Sequence, residues 1–415
     1  MSDQTAATET QGPWYRGATR NQWRAFTGAY LGWMLDVMDL IIFSFVIRYV
    51  IEDFNANEGL AGVVSSVTLV ASAFGGFVFG FLADRIGRTK SMMASILCYS
   101  LGTILCGFAP NIVALMLFRI IVGLGVGGEW GAGAALVSET WPAKHRGKVL
   151  SFVQSAFATG YALAAIVTAI VLPIGGWRWA FFAGVLPAFL AIWIRRETEE
   201  PEIWKEADRK TLAESLKILF VANRKRALAC LAFTAAASCG YWGLFTWLPN
   251  FLATPVAEGG HGLELTQSTA WIVVMQVGAF IGFILFGQIA DRIGRKKTFA
   301  IYFVGAAIMV PLFVSVKGDL ALLGLGIVMS LLGTGFYSGF GPTFAELFPT
   351  EIRAFAQGFI YNTGRAISAA APALVGFLTV SFGPSLALLT TAGFYLIAAV
   401  VVMLAIPETK GQELV

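Results

Sequence analysis

Twelve apolar stretches constrain this 415-residue chain more than any other feature. Each is close to the ~20 residues a helix needs to cross the hydrocarbon core of a bilayer. They run at about 24–50, 60–82, 91–109, 112–138, 149–173, 178–194, 227–252, 268–290, 298–316, 319–345, 355–380 and 384–406. Lipid offers no partner to backbone N–H and C=O groups, so a spanning segment must satisfy them internally. The period-2 alternation of a membrane barrel is missing, which leaves helices. Composition agrees: 57% of residues are hydrophobic and 13% charged, with a mean hydropathy of +0.72. That is too little charge to cover a soluble surface of this size. The expected fold class is an all-α membrane protein with twelve transmembrane helices.

The basic residues orient the stack. With an even number of spans both ends lie on one side, and 24 of the 29 Lys and Arg residues then fall there. Arg48, Arg178 and Lys317 lie near the other side, and Arg119 and Arg365 lie within helices. By the positive-inside rule the rich side is the cytoplasm, as in a multi-pass protein of a bacterial-type inner membrane with both termini inside. Residues 1–21 lack the basic stretch, short apolar core and cleavage site of a removable signal, so the first span is expected to be an uncleaved anchor. Cys98, Cys106, Cys230 and Cys239 sit in apolar stretches without metal-ligand spacing and read as packing residues. His145 and His261 are the two histidines, both in polar connections. No metal, no cofactor and no nucleic-acid partner is expected.

One stretch recurs. Gly80-Phe-Leu-Ala-Asp84-Arg85-Ile-Gly87-Arg88-Thr-Lys90 returns as Gly287-Gln-Ile-Ala-Asp291-Arg292-Ile-Gly294-Arg295-Lys-Lys297, eight of eleven positions identical at an offset of 207. The same offset carries Glu139, Pro142 and Arg146 onto Glu346, Pro349 and Arg353. Two elements sharing one offset imply equivalent halves, spans 1–6 matching spans 7–12. The chain then divides into a tail (1–21), a six-helix bundle (22–194), a charged linker expected to hold a short surface helix (195–226), and a second six-helix bundle (227–415).

The repeated Gly-x-x-x-Asp-Arg-x-Gly-Arg loops, with Arg119-Ile-Ile-Val-Gly123-Leu-Gly125 in span 4, resemble the signatures of the major facilitator superfamily. The resemblance covers nearly the whole chain and implies two pseudo-symmetric six-helix bundles around one solute pathway. Asp36-Val-Met-Asp39, Gly127-Gly-Glu129-Trp-Gly131 and Tyr361-Asn362-Thr-Gly364 are similar to the organic-acid/proton symporters, closest to the sialate and lactate/pyruvate branch, with the aromatic-acid branch a neighbour. Val37 and Met38 depart from the Asp-Gly-Phe-Asp usual in aromatic-acid and sialate members. The resemblance implies a transporter rather than an enzyme.

Five ionisable residues lie within spans, where each costs about 2.5–3.5 kcal/mol on insertion scales. They persist where they face the bundle interior and are paired or used. Asp36 and Asp39, three residues apart near the centre of span 1, are expected to share a helical face. Two carboxylates so close in low dielectric oppose each other's ionisation, which suits a proton carrier; Asp39 is the favoured one. The structural alternative is a pair bracing span 1 against span 4 through Arg119. Arg119 is expected to reach Asp39, either as a switch broken and remade during transport or as a permanent bridge. Glu129, among Gly123, Gly125, Gly127, Gly128, Gly131 and Gly133, is a second candidate proton carrier or a structural hydrogen-bonding group. Arg365, central in span 11, lies on one expected face with Tyr361, Ser368 and Pro372, and Asn362 flanks it. A guanidinium grips a carboxylate through two parallel hydrogen bonds. With no acid nearby in its own half, its missing anion reads as the substrate; the alternative is pairing across the interface with Asp36 or Glu129. A central arginine commonly has the substrate role in the resembled symporters.

Gln154 and Tyr161 on span 5, Tyr241 and Trp242 on span 7, Gln276 on span 8 and Tyr337 on span 10 are further candidates for a cavity wall. The repeated loops read as a cytoplasmic gate. Asp84 and Asp291 are expected to cap neighbouring helix N-termini, with Arg85, Arg88, Arg292 and Arg295 beside them and Glu139, Arg146, Glu346 and Arg353 in the same charge network. The loops lack GxxxxGK[ST], so energy must come from a gradient. The expectation is a monomer in the lipid bilayer that carries a small organic anion together with a proton. Pro407-Glu-Thr-Lys-Gly411, similar to the C-terminal signature of sugar porters, raises a sugar or polyol carrier as the alternative. A cation efflux pump would show an acid-dominated cavity without a central arginine. A non-transporting sensor would carry a large soluble extension.

Overall fold

The computed structural model describes residues 17–141, 143–189, 193, 212–349 and 352–410. Helices occupy almost all of them. The first half holds α1 (Arg20–Phe54), α2 (Glu58–Ile86), α3 (Arg88–Gly107), α4 (Ile112–Thr140), α5 (Ala143–Gly175) and α6 (Trp177–Phe182). After a short α7 (Leu212–Lys217) come α8 (Arg224–Ala253), α9 (Leu265–Ile293), α10 (Arg295–Ser315), α11 (Asp319–Gly335) and α12 (Tyr337–Leu347). The chain closes with α13 (Arg353–Ser368), α14 (Ala370–Phe382) and α15 (Pro384–Ala405). The starts have local causes: Thr19 makes a capping box with Gln22, and the Asn57 and Asn111 side chains accept from Leu60 N and Ala114 N.

Among the described residues, ten helices are long and apolar enough to cross a membrane. Span 1 is the 35-residue α1, which carries Asp36 and Asp39 in its apolar middle. Span 6 begins as α6 and continues into a 3-10 turn, Ala183–Val185. Residues 195–211 of the expected linker, Arg195, Arg196 and Arg209 among them, lie outside the described residues, whereas Arg224 and Arg226 open α8. Two expected spans are single in length but broken in the middle: the tenth at Phe336 between α11 and α12, the eleventh at Ala369 between α13 and α14. Ser368 Oγ donates to Arg365 O beside the second break. Ala369 keeps helical dihedrals (φ −59°, ψ −22°), so the expected face Tyr361–Arg365–Ser368–Pro372 passes through a single tightened turn.

The repeat is visible in the backbone. Gly87 (φ 113°) and Gly294 (φ 103°) both take a left-handed conformation that side chains disfavour, and each ends one span and starts the next. In the first half α2 lies against α4, where a methyl group on Gly75 would overlap the Leu124 carbonyl oxygen. In the second, α9 lies against α11, where a methyl on Gly282 would overlap the Leu331 carbonyl oxygen. Both pairs are related by the offset of 207 that relates the loops. Helices without a hydrophobic drive to associate in lipid gain from such close backbone contact.

The halves meet along two equivalent seams, α2 against α13 and α14, and α5 against α9. Away from the repeat loops hydrogen bonds tie helices together, both within a half and between the halves. Trp247 Nε1 of α8 donates to Pro372 O within the second half (3.0 Å). Across the halves, Ala373 N donates to Ser66 Oγ (3.2 Å) and Arg48 to Ala253 O (3.4 Å).

Candidate functional site: buried charges where the halves meet

Asp36, Asp39 and Glu129 are fully buried, and Arg119 and Arg365 nearly so. The carboxylate oxygens of all three acids are without hydrogen-bond partners among the described residues. In lipid-like surroundings an uncompensated carboxylate is costly, so this is the chemically loaded region of the molecule.

The two aspartates act on each other and both act on Tyr99 of α3, as neighbours along one side of α1 do. Asp36 also lies within the electrostatic field of Arg365 on α13 and of Glu129. Asp39 turns into the first half toward Thr103 of α3: a methyl on Gly184 would touch Thr103 and lie 3.4 Å from Asp39 Oδ2. The Thr103 hydroxyl faces that carboxylate without reaching hydrogen-bonding geometry. A three-residue step rotates about 300°, so neighbours at this spacing diverge by about 60° around the axis. Here that angle turns Asp39 toward Thr103 while Asp36 stays within the field of Arg365.

Arg119 corrects an expectation. Its guanidinium donates to Asp39 O (3.1 Å), Leu40 O (3.0 Å) and Thr68 Oγ1 (3.2 Å), and stands over the Phe43 ring at 5.4 Å. It grips the backbone of α1, not the Asp39 carboxylate, and so acts as a brace with a charge near the acid. Glu129 reaches α1 where α1 is thinnest. A methyl on Gly32 would overlap its Oε1, so glycine there makes the space the side chain fills. Beside Arg119, Leu40, Ser44, Ser65, Leu69, Trp242 and Thr246 of both halves line a cavity of about 10 Å³, about the size of one water.

Arg365 sits in the last turn of α13. Its Nε has no partner among the described residues, and its guanidinium carbon lies 5.7 Å from the Trp242 ring centroid, within cation–π range. Around it stands an aromatic wall from four helices. Tyr241 stacks on Phe245 (4.7 Å) and meets Tyr337 edge-on (5.4 Å); Phe157 stacks on Tyr337 (6.2 Å), and Tyr337 approaches Tyr361 (6.4 Å). The Tyr241 hydroxyl and Gln276 Nε2 are buried without partners among the described residues. Tyr337 Oη is 3.4 Å from Ser238 Oγ, and Gln154 is buried on α5.

Two expected wall residues are otherwise engaged. Tyr161 donates to Phe245 O (2.7 Å), tying α5 to α8. Asn362 donates to Gly358 O (3.0 Å) and lies against Gly76 of α2, where a methyl would meet its amide.

At the repeat-loop end the side chains of Asp84, Arg85, Arg88, Glu139, Arg146 and Arg353 lie outside the described residues. In the second loop Arg295 joins Asp291 to Glu346 (3.2 Å to the latter). Asp291, expected to cap a neighbouring helix, leaves the start of α10 to Glu408. Its carboxylate accepts from Arg295 N (2.8 Å) and Lys296 N (3.3 Å) at the start of α10, and from Thr409 N and Lys410 N. Burial alone would raise the Glu408 carboxyl, but these N–H groups outweigh it and hold it below the usual carboxylate range. Lys410 Nζ donates to Arg292 O (2.7 Å), and Thr409 Oγ1 to Glu346. The C-terminal segment is thereby fastened over the loop.

The chain belongs to the Major Facilitator Superfamily, whose model matches residues 29–258 and 250–414. It is a multi-pass membrane transporter. A Haemophilus influenzae protein named as a metabolite transport protein is 35% identical over 402 residues, covering 94% of this chain and 98% of its own. The cis,cis-muconate transport protein of Acinetobacter baylyi is 31% identical, with 93% and 94% covered. The sialic acid transporter NanX of Escherichia coli is 30% identical, with 95% and 96% covered. Among solved structures, a D-xylose–proton symporter matches with a TM-score of 0.77 over 95% of this chain and all of its own, at 20% identity. That last likeness is one of fold.

Proposed function

We propose that this chain is a proton-coupled symporter that brings a small organic carboxylate, lactate/pyruvate-like or sialate-like, into the cell by alternating access. One observation carries the reading: Arg365 is buried at the meeting of the halves, beside an aromatic wall, and its charge acts on Asp36 of the other half. An arginine so placed offers a bidentate grip to an anion, and Asp36 becomes neutral when it takes a proton, leaving the guanidinium to the substrate. Tyr361, Tyr241, Gln276, Tyr337, Gln154 and Asn362 surround that point, and relatives named for muconate and sialic acid carry carboxylates. Asp36, Asp39 and Glu129 are the proton carriers, with Asp39 foremost.

The distribution of Lys and Arg puts the repeat loops and both termini in the cytoplasm of the inner membrane. The contacts joining Ser66 to Ala373 and Arg48 to Ala253 then close the outer side. Residues 22–194 and 227–415 move against each other as monomeric halves. The loop network of Asp84, Arg85, Arg88, Glu139 and Arg146, with its counterparts Asp291, Arg292, Arg295, Glu346 and Arg353, latches the inner side. One proton with one monoanion is electrically neutral, so each pH unit supplies about 1.4 kcal/mol.

The residues 407–411 favour a sugar carrier as the second reading. Counterflow with labelled lactate against labelled glucose separates the two: carboxylate exchange supports the proposal, and exchange of glucose alone removes it.

A further inference from the structure

Phe157 of α5 is a first-half ring set among second-half rings. Trp33 of α1 backs it at 6.0 Å, and its other ring neighbours belong to the second half: Tyr241 (5.5 Å), Trp242 (6.4 Å), Phe283 (6.4 Å) and Tyr337 (6.2 Å). The Tyr337 contact differs from the rest in angle. Its planes are 21° from parallel, whereas the other three cross-half pairs lie between 58° and 72°.

The repeat sets this ring against the arginine. At the offset of 207, Phe157 and Ala158 correspond to Gly364 and Arg365, so α5 and α13 bring equivalent turns to the meeting of the halves. Gly364 is packed on Thr234 of α8, where a methyl would overlap the threonine side chain; Phe157 fills the equivalent position with a ring. Trp242 touches both partners, its centroid 6.4 Å from Phe157 and 5.7 Å from the Arg365 guanidinium carbon. Tyr361, one turn before Arg365, lies 6.4 Å from Tyr337. A carboxylate held by Arg365 therefore leaves its body beside Trp242 and Tyr361, next to the Phe157–Tyr337 pair. Two stacked contacts of ~3.5 Å need about 7 Å between ring planes, more than the 6.2 Å between these centroids. The rings must part, one with each half, to admit even a flat group. A puckered saturated body is thicker and holds them further apart.

We infer that Phe157 is a specificity-determining residue: its ring and that of Tyr337, one from each half, close on the flat, unsaturated body of the carboxylate whose charge Arg365 holds. Aromatic faces in contact add to simple burial, and a flat guest keeps two such contacts where a puckered one keeps neither. Because the rings ride on opposite halves, the guest that fits between them also lets the halves close. The inference rests on the carboxylate reading and narrows it to flat acids, pyruvate-like before lactate-like or sialate-like. The two fail separately: wild-type protein that binds no carboxylate removes that reading, whereas Phe157 is judged by preference among carboxylates that bind.

The test is calorimetry on the full chain in nanodiscs, with two probes of equal charge and carbon number. Benzoate is flat, and cyclohexanecarboxylate is puckered. Wild type is expected to bind benzoate roughly 10-fold tighter. Phe157→Leu keeps apolar bulk and removes the ring; it should cut that preference to about twofold, with cyclohexanecarboxylate within about threefold of wild type. Phe157→Tyr should keep the preference. Equal binding of the two probes by wild type overturns the inference, as does binding of lactate or sialate with neither probe. So does an unchanged preference in Phe157→Leu. Equal loss of both probes in that variant, folded, marks packing alone and overturns it too. Should Phe157→Leu fail to fold, Tyr337→Leu puts the same question to the opposite ring: a collapsed preference supports the pair, and an unchanged one overturns it.

Discussion

The two halves share a backbone and differ in chemistry. Gly87 and Gly294 turn alike, and Gly75 meets Leu124 as Gly282 meets Leu331. Yet at the offset of 207, Asp36 corresponds to Gly243, Asp39 to Thr246, Arg119 to Gly326 and Glu129 to Phe336, while Arg365 corresponds to Ala158. Packing is duplicated because both halves must satisfy the same membrane. The charges are not: the acids lie in the first half, and the central arginine with most of the aromatic wall lies in the second. On the proposed function the first half handles the proton and the second the anion, and Asp36, on which the charge of Arg365 acts, is where the two tasks meet.

That division can be broken one half at a time. The largest effect is expected from Arg365→Ala, which should weaken carboxylate binding by about 2–5 kcal/mol, roughly 30-fold to several-thousand-fold, by calorimetry; wild-type affinity would remove the anion from the second half. Asp39→Asn comes next, with carboxylate exchange kept within about threefold of wild type while uphill accumulation stops. Accumulation in that variant would take Asp39 out of the proton path.

Gly75→Ala and Gly282→Ala sharpen the structural side. Each should cost about 1–3 kcal/mol through overpacking, with similar falls in Tm in detergent; a large fall in one alone would deny that the packing inside the two halves is equivalent.

The smallest effect belongs to the C-terminal segment. Glu408 is exposed and its interactions are screened, so Glu408→Gln should alter Tm little and instead make the segment more open to protease. Because the Glu408 carboxyl is held below its ordinary range by N–H donors, its docking is complete at neutral pH and is lost as pH falls through that lowered value. Segment release beginning well above the carboxylate range would contradict the cap.

Much of this was legible in the sequence because lipid permits so few solutions. The spans, the repeat and the charged residues out of place in them pointed to the fold and to Asp36, Asp39, Glu129 and Arg365. What stayed hidden is rotational and local. Spacing put Asp36 and Asp39 on one face, but which way each turns depends on how α1 packs against α3 and α13. Arg119 reads as a carboxylate partner until Asp39 O and Leu40 O are seen to take its hydrogens. Thr103 gave no signal, since a hydroxyl residue is unremarkable in an apolar helix. The breaks at Phe336 and Ala369 carry no proline at the break itself. The cap on α10 comes from Glu408, more than a hundred residues beyond the loop that seemed to supply it.

The most direct trial is proton movement in proteoliposomes holding wild-type protein, with an internal pH dye and a panel of labelled carboxylates and sugars added outside. Acidification of the lumen in step with carboxylate entry, and none with glucose, is the predicted result. Carboxylate entry at unchanged internal pH, or entry of sugar alone, would contradict the idea that a travelling anion and its proton complete these buried charges.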